Sequence, residues 1–188
     1  MPAIVGLSGS LRRGSFNTAL LREAAALVPA GSTLDVRTLH EIPLYNADDE
    51  AQGIPDAVAR LKDAIAGASG LLLVTPEYNN SIPGVFKNGI DWLSRPPADI
   101  KRIFAGRPVG LIGASPGGFG TVLAQAAWLP VLRTLGVDLW TGGRLLVSRA
   151  GGVFDEHGAI KDDAVRQQLR LFLEGFSAFV ASRQKDTR

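Results

Sequence analysis

Large apolar residues fall in short blocks along this chain, and the blocks alternate between two spacings. Apolar runs or period-two alternations occur at residues 3–7, 33–39, 71–74, 107–114 and 144–147. Each is too short for a stable helix and is flanked by Gly, Pro, Ser or Thr, so each predicts a strand. The run at 71–74 reads LLLV between Gly70 and Thr75-Pro76, the signature of a strand buried on both faces. Between these blocks, apolar residues recur at helical spacing. Ala19, Leu20, Ala24, Leu27 and Val28 mark a helix over 16–28, with Ser15 placed to cap it. A second helix follows Pro55 and turns Val58, Leu61, Ile65 and Ala66 inward. Pro83 opens a third, which carries Ile82, Val85, Phe86, Ile90 and Leu93 on one face and stops at Pro96-Pro97. A fourth, over 121–135, is apolar almost all round, and Pro130 should kink or restart it. Asp162 or Asp163 caps the last, whose stripe is Val165, Leu169, Phe172, Leu173, Phe176 and Val180.

Strand and helix alternate strictly, without repeat or internal linker. That order predicts an α/β fold: a doubly wound, five-stranded parallel sheet with helices on both faces. Right-handed crossovers leave few topologies, of which strand order 2-1-3-4-5 places strands one and three side by side. It is the flavodoxin-like order, with its ligand crevice at the switch point between those two strands. Residues 1–182 then form a single domain, and Arg183, Lys185 and Arg188 mark a solvated tail over 183–188.

Composition narrows the class. The 188 residues are 46% hydrophobic and 20% charged, as expected of a soluble globular chain. Zero cysteines exclude disulfides, thiolate metal sites and a cysteine nucleophile, and favour a cytoplasmic location. The start, MPAIVGLSGS, lacks the pattern of a signal peptide, and no apolar run reaches membrane-spanning length. Twenty basic residues against eighteen acidic ones give a net charge of +2, with no basic block interleaved with aromatics. Neither a nucleic-acid nor a membrane partner is expected.

Three polar loops follow strands one, three and four. The first, SGSLRRGSFNT over 8–18, combines small residues, hydroxyls and arginines before a helix start. Free N–H groups there favour an anion, and small residues let it approach. The Gly-Lys-Ser/Thr ending of a nucleotide P-loop is missing, and the G-x-G-x-x-G spacing fails because Leu11 stands where the second glycine belongs. A phosphate loop is preferred over a plain Gly-Ser turn, with Arg13 solvated. The second loop, PEYNNS over 76–81, offers an acid, a phenol, amides and a hydroxyl. By pattern alone it reads equally well as a polar connection. The third, SPGGFGT over 115–121, leaves bare backbone against which a flat ring fits, although alone a flexible turn is the simpler reading. His40 and His157 show no partner in sequence and read as surface or locally bonded. Lys87, Asp91 and Arg95 repeat at four-residue spacing, as a solvated helix face or a subunit contact would.

GSLRRGSFNT, PEYNNSIPGVFKNGIDWLSRP and GASPGGFGT together resemble the signature segments of the NAD(P)H-dependent FMN reductases, a family that includes quinone and chromate reductases. FDEHG before the last helix also fits, so the resemblance runs nearly end to end. It implies bound FMN, with NADPH or NADH as electron donor. By this likeness Ser10, Arg12, Ser15, Asn17 and Thr18 stand where the family binds the FMN phosphate. Pro76, Glu77, Tyr78 and Asn79 stand on the loop that lines the flavin ring, with Ser81 near its end. Ser115, Gly117 and Gly118 stand where the third loop meets the flavin, while Thr121 and Leu123 replace a frequent glycine and arginine.

The implied chemistry belongs to the cofactor, so no side-chain nucleophile and no metal is called for. Glu77 is a loop-shaping or ring-edge residue before it is a general base. The acceptor is a small molecule such as a quinone, chromate or free flavin, and the likeness implies a homodimer or homotetramer. Two alternatives remain at this point. One is a flavodoxin-like electron carrier with little NAD(P)H turnover; the other is a phosphosugar or nucleotide-binding module without flavin.

Overall fold

The computed structural model describes residues 1–185. Five parallel strands lie in the order β2 (Thr33–Arg37), β1 (Ala3–Ser8), β3 (Gly70–Val74), β4 (Pro108–Ala114) and β5 (Asp138–Leu139), the expected order. A further strand, β6 (Leu145–Val147), pairs with the far end of β4. The fifth strand of the sequence reading, over 144–147, corresponds to β6, and β5 is a further short strand on the same edge that the reading did not include. β5 meets Pro108 and Val109, and β6 meets Ile112 to Ala114. Between them the chain leaves the sheet and tucks in Trp140. Its indole lies edge-on to Phe172, at 4.7 Å between ring centroids. A Cβ on Gly142, Gly143 or Gly175 would sit 2.7 Å from that indole, so the detour is built around the ring.

The strands feed two cores by simple alternation. Ile4, Leu72, Val74 and Ile112 face α1 (Phe16–Leu27) and α7 (Asp163–Lys185). Val5, Leu7, Leu71, Leu73, Val109 and Leu111 face α3 (Asp56–Ala66), α4 (Gly84–Leu93) and α6 (Val122–Thr134). β3 and β4 are buried at every position. The second strand ends at Arg37, not at Leu39. Leu39 leaves the sheet and packs on α4, where a Cβ on Gly89 would lie 2.8 Å from its Cδ2.

Two short helices escape a periodicity reading because neither has an apolar stripe. α2 (Ala47–Gln52) is capped by Asn46, whose side chain accepts the Asp48 N–H at 3.0 Å. α5 (Asp99–Ile103) supplies Asp99, which meets the buried Lys62 of α3 at 2.9 Å. Pro130 does not break α6. The helix passes through it, and both Pro130 and Ala126, whose carbonyl loses its usual donor, are exposed. Asp162 rather than Asp163 caps α7, accepting the Val165 N–H at 3.1 Å.

The expected tail needs correction. α7 continues to Lys185, and Arg183 donates from Nε to Asp138 Oδ2 at 2.6 Å, over the ring of Phe179. The remainder of that tail, 186–188, lies outside the described residues. Among the described residues, no helix is long and apolar enough to cross a membrane.

Candidate functional site

The carboxyl ends of β1, β3 and β4 carry the three polar loops to one edge of the sheet. The first loop is packed hard against α4. Gly9 donates its N–H to Val74 O at 2.9 Å, and a Cβ there would fall 2.0 Å from Phe86 Cδ1. Only glycine fits that approach. Ser15 caps α1 as expected, its Oγ accepting the Thr18 N–H at 3.3 Å. The N–H groups of Phe16 and Asn17, at the helix start, have no intrahelical acceptor. Arg12 folds back onto its own loop, donating from Nε to Gly14 O at 3.1 Å, with Nη2 on the same carbonyl. Its guanidinium lies 5.2 Å from the centroid of Phe16. His40 ties the loop from outside: Nε2 carries the proton and donates to Leu11 O at 3.1 Å.

Two expected phosphate-loop residues point their side chains elsewhere. Asn17 gives both polar ends to Ala114, accepting its N–H at 2.9 Å and donating to its carbonyl at 2.8 Å. That pair fastens α1 to the end of β4. Thr18 shares a 2.8 Å hydrogen bond with the hydroxyl of Ser8 beneath the loop.

The second loop is a two-residue reversal. Tyr78 and Ser81 exchange backbone hydrogen bonds of 3.2 and 3.0 Å, and Asn79 and Asn80 between them have φ of 49° and 60°. Positive φ at both central positions defines a type I′ turn, and asparagine is the side chain that tolerates it best. Asn79 is thus at an exposed tip, and Ser81 closes the turn. Glu77 does something sequence spacing conceals. Its Oε2 accepts the N–H groups of Leu123 and Ala124, both at 2.9 Å. Thr121, the residue before α6, offers no side-chain cap, so Glu77 supplies one from the next loop. Thr75 adds a second tie, its hydroxyl accepting the indole N–H of Trp128 at 3.1 Å.

The third loop is zipped to the segment after β6. Ser115 donates to Val147 O at 2.9 Å, Ala150 to Ser115 O at 3.1 Å, and Arg149 to Gly117 O at 2.9 Å. Gly113, at the end of β4, admits no side chain, since a Cβ would meet Thr75 O at 2.2 Å.

A cavity of about 240 Å³ opens where the loops meet. Of the residues expected at the site, Ser10, Arg12, Ser15 and Asn17 line it from the first loop, Pro76, Glu77 and Tyr78 from the second, and Ser115 from the third. Thr18, Asn79, Ser81, Gly117 and Gly118 do not. Phe16, Ala114 and Pro116 also line it and were not singled out. Phe16 and Ala114 carry apolar side chains that sequence assigns to core, so only neighbourhood to the loops marked them. On the α4 face, Lys87 pairs with Asp91 at 2.6 Å, whereas Arg95 reaches Glu50 at 3.0 Å instead. Tyr45 donates to that same carboxylate at 2.7 Å, and with Arg95 it holds the Glu50 pKa below the usual range.

Residues 2–152 match the family of NADPH-dependent FMN reductases. The chain belongs to that family. An NAD(P)H-dependent FMN reductase of Pseudomonas aeruginosa is 42% identical over 177 residues, which cover 94% of each chain. A 2-hydroxy-1,4-benzoquinone reductase of a Burkholderia species is 36% identical over 176 residues, again 94% of each. Among solved structures, a flavoenzyme NAD(P)H:(acceptor) oxidoreductase of Paracoccus denitrificans superposes with a TM-score of 0.85 at 31% identity, covering 97% of this chain and 99% of that one. As in the sequence reading, the crevice of this chain opens at the carboxyl ends of β1 and β3, where the strand order reverses.

Proposed function

We propose that the protein is an NAD(P)H-dependent oxidoreductase with FMN as its cofactor and a quinone as acceptor. One observation carries the reading: three loops, all within the residues that match the family, meet around a single cavity at the switch point. The donor set fits FMN. Hydroxyls of Ser10 and Ser15, the guanidinium of Arg12 and the open N–H groups at the start of α1 suit a phosphate. Pro76, Ala114 and Pro116 present flat apolar surface suited to a ring.

Held there by the first and third loops, FMN would supply the hydride and electron-transfer chemistry between NADPH or NADH and the acceptor. The side chains then have distinct tasks. Arg12 leaves the Gly14 carbonyl to meet the phosphate, and Ser10 and Ser15 complete that grip. Asn17 and Thr18 hold the loop in place from behind. Tyr78 and Ser115 flank the ring, with Gly117, Gly118, Asn79 and Ser81 shaping the loops that carry them. Glu77 supports the ring loop through α6 and is not assigned a proton transfer. Chromate and free flavin are further acceptors. The enzyme works as a homo-oligomer in the cytoplasm, where its reduced donor is made. The carrier alternative is not favoured, because relatives matched over 94% of their length are named as reductases.

The purified protein is expected to take up FMN, to show a flavin visible spectrum, and to oxidise NADPH or NADH when a quinone is added. Arg12→Ala should weaken FMN binding about 10- to 100-fold, the cost of one charge-assisted hydrogen bond. A colourless protein that ignores added FMN would reject the proposal.

A further inference from the structure

Arg149 has no part in the site as described so far. It follows β6 at the carboxyl edge of the sheet, beside the third loop. Its backbone is left-handed, with φ 46° and ψ 43°. A long L side chain avoids that region, and it persists only where the surroundings hold it. Here hydrogen bonds do so on both sides. The Arg149 N–H donates to Gly117 O at 2.9 Å, and its own carbonyl accepts the Gly152 N–H at 2.9 Å. The stem of a cation is thereby fixed. Its guanidinium extends along the bare backbone of Gly118, where a Cβ would be 3.9 Å from Nη2. The side chain is exposed, and no carboxylate or carbonyl among the described residues takes it. Arg60, Lys62, Arg95 and Arg166 each reach an acid, so what sets Arg149 apart from the unpaired surface cations is its held backbone beside the third loop.

The charge balance of the site sharpens this. Glu77 is the one acid lining the cavity, and its Oε2 is taken up by two N–H groups of α6. Arg12 adds positive charge at the first loop. An anion approaching over the third loop therefore meets guanidinium groups and no uncommitted carboxylate in the cavity lining. Arg149 does not line the cavity, so a group seated inside is not its natural ligand. It faces whatever docks from solvent over that group. For the function proposed above, on which this step rests, the arriving anion is the electron donor. NADPH and NADH share one anionic feature, the pyrophosphate. A guanidinium fork grips phosphate oxygens through parallel N–H bonds. We propose that Arg149 receives the pyrophosphate of the nicotinamide nucleotide and so sets the affinity for the donor.

Asparagine and glycine accept left-handed backbone, so R149N and R149G remove the charge while preserving the turn. R149K keeps the charge without the fork. FMN affinity is measured first, by quenching of flavin fluorescence. The FMN-loaded proteins are then titrated calorimetrically with NADP⁺ and NAD⁺, and steady-state constants are determined. The expectation is about 10-fold weaker binding of both dinucleotides to R149N and R149G, with partial recovery in R149K. The donor KM rises by the same factor, while kcat at saturating donor and the quinone KM move by less than about twofold. Raising the salt concentration weakens wild-type binding more than that of R149N. Dinucleotide affinities of both neutral variants within about twofold of wild type would overturn the proposal, as would a loss confined to NADP⁺, which places the contact at the 2′-phosphate. A wild-type protein that fails to take up FMN defeats the reading of the enzyme itself. Normal FMN uptake with unchanged nucleotide affinity defeats only the role given to Arg149.

Discussion

The carboxylate of Glu77 reaches the first turn of α6 from 46 positions away in sequence. An acid in a polar loop at a sheet edge invites a catalytic assignment, yet a helix start is a strong competitor for it. Two unpaired N–H groups and the positive end of the helix dipole stabilise the charge there. Removing the side chain should cost about 1 kcal/mol, the usual worth of an N-terminal cap. For a chain of this size that lowers Tm by about 2–4 °C. Glu77→Gln keeps an acceptor oxygen and should lose less than Glu77→Ala, with turnover following stability rather than collapsing. If Glu77→Gln instead slowed turnover by about two orders of magnitude at unchanged Tm, the charge would be shown to serve the chemistry. Asn17 and Thr18 teach the same lesson more mildly. Their side chains serve Ala114 and Ser8, so a position in a binding loop does not by itself decide what a side chain touches.

Among the elements, the first loop and α4 are set by one contact. The ring of Phe86 occupies the space a side chain at position 9 would need, with a Cβ only 2.0 Å from Cδ1. Gly9→Ala must push either the phosphate loop or the helix, and overpacking of this kind costs about 1–3 kcal/mol. Phe86→Leu removes part of the obstruction, so the double variant should be destabilised by less than the sum of the two single ones. Strict additivity in urea unfolding would mean that the contact is not the constraint. That contact was invisible in the sequence, where Gly9 is one small residue among several. The strands were readable because burial on both faces writes a continuous apolar run, as at 71–74, and two-faced cores write no ambiguity about the sheet. The edge of the sheet was not. β5 is two residues long, and the excursion holding Trp140 depends on Gly142 and Gly143 beside it and on the distant Gly175 making room. α2 and α5 were unreadable for the opposite reason, being too short and polar to have a face. At the site, the loops were legible as loops. Which way each side chain turns was not, because Glu77 and Asn17 owe their positions to partners outside their own loops.

On the scale of the molecule, both sheet faces are covered, and the large apolar side chains left exposed include a strip on and beside α6 as well as Leu44 and Leu171 elsewhere. Trp128, which the sequence places on an all-round apolar helix, is fully buried against Phe86, at 4.9 Å between ring centroids. What α6 leaves exposed is Leu123 at 46% and Leu129 at 50%, next in sequence to the loop bearing Phe119 at 84%. From Leu123 to Leu129 is a rise of only about 9 Å along the helix. A stable interface buries about 1,200–2,000 Å² in total, more than that strip provides. A second copy seated on α6 must therefore also cover neighbours, and the apolar candidates are Phe119 on the loop that enters α6 and Tyr78, 46% exposed, beside the Glu77 that bonds the first turn of α6. Both belong to loops that bound the cavity. The net charge of +2 offers little repulsion between copies. Light scattering at micromolar concentration should accordingly give a multiple of 19.9 kDa. The double variant L123E/L129E should reduce it to one chain with little change in Tm, because neither leucine contributes a fully buried side chain to its own core. If the copies meet across these loops, the separated chains should also hold FMN less firmly than the assembly. A wild-type mass of one chain would remove the interface. An assembly abolished by the double variant with FMN affinity untouched would keep the interface and move it away from the cavity.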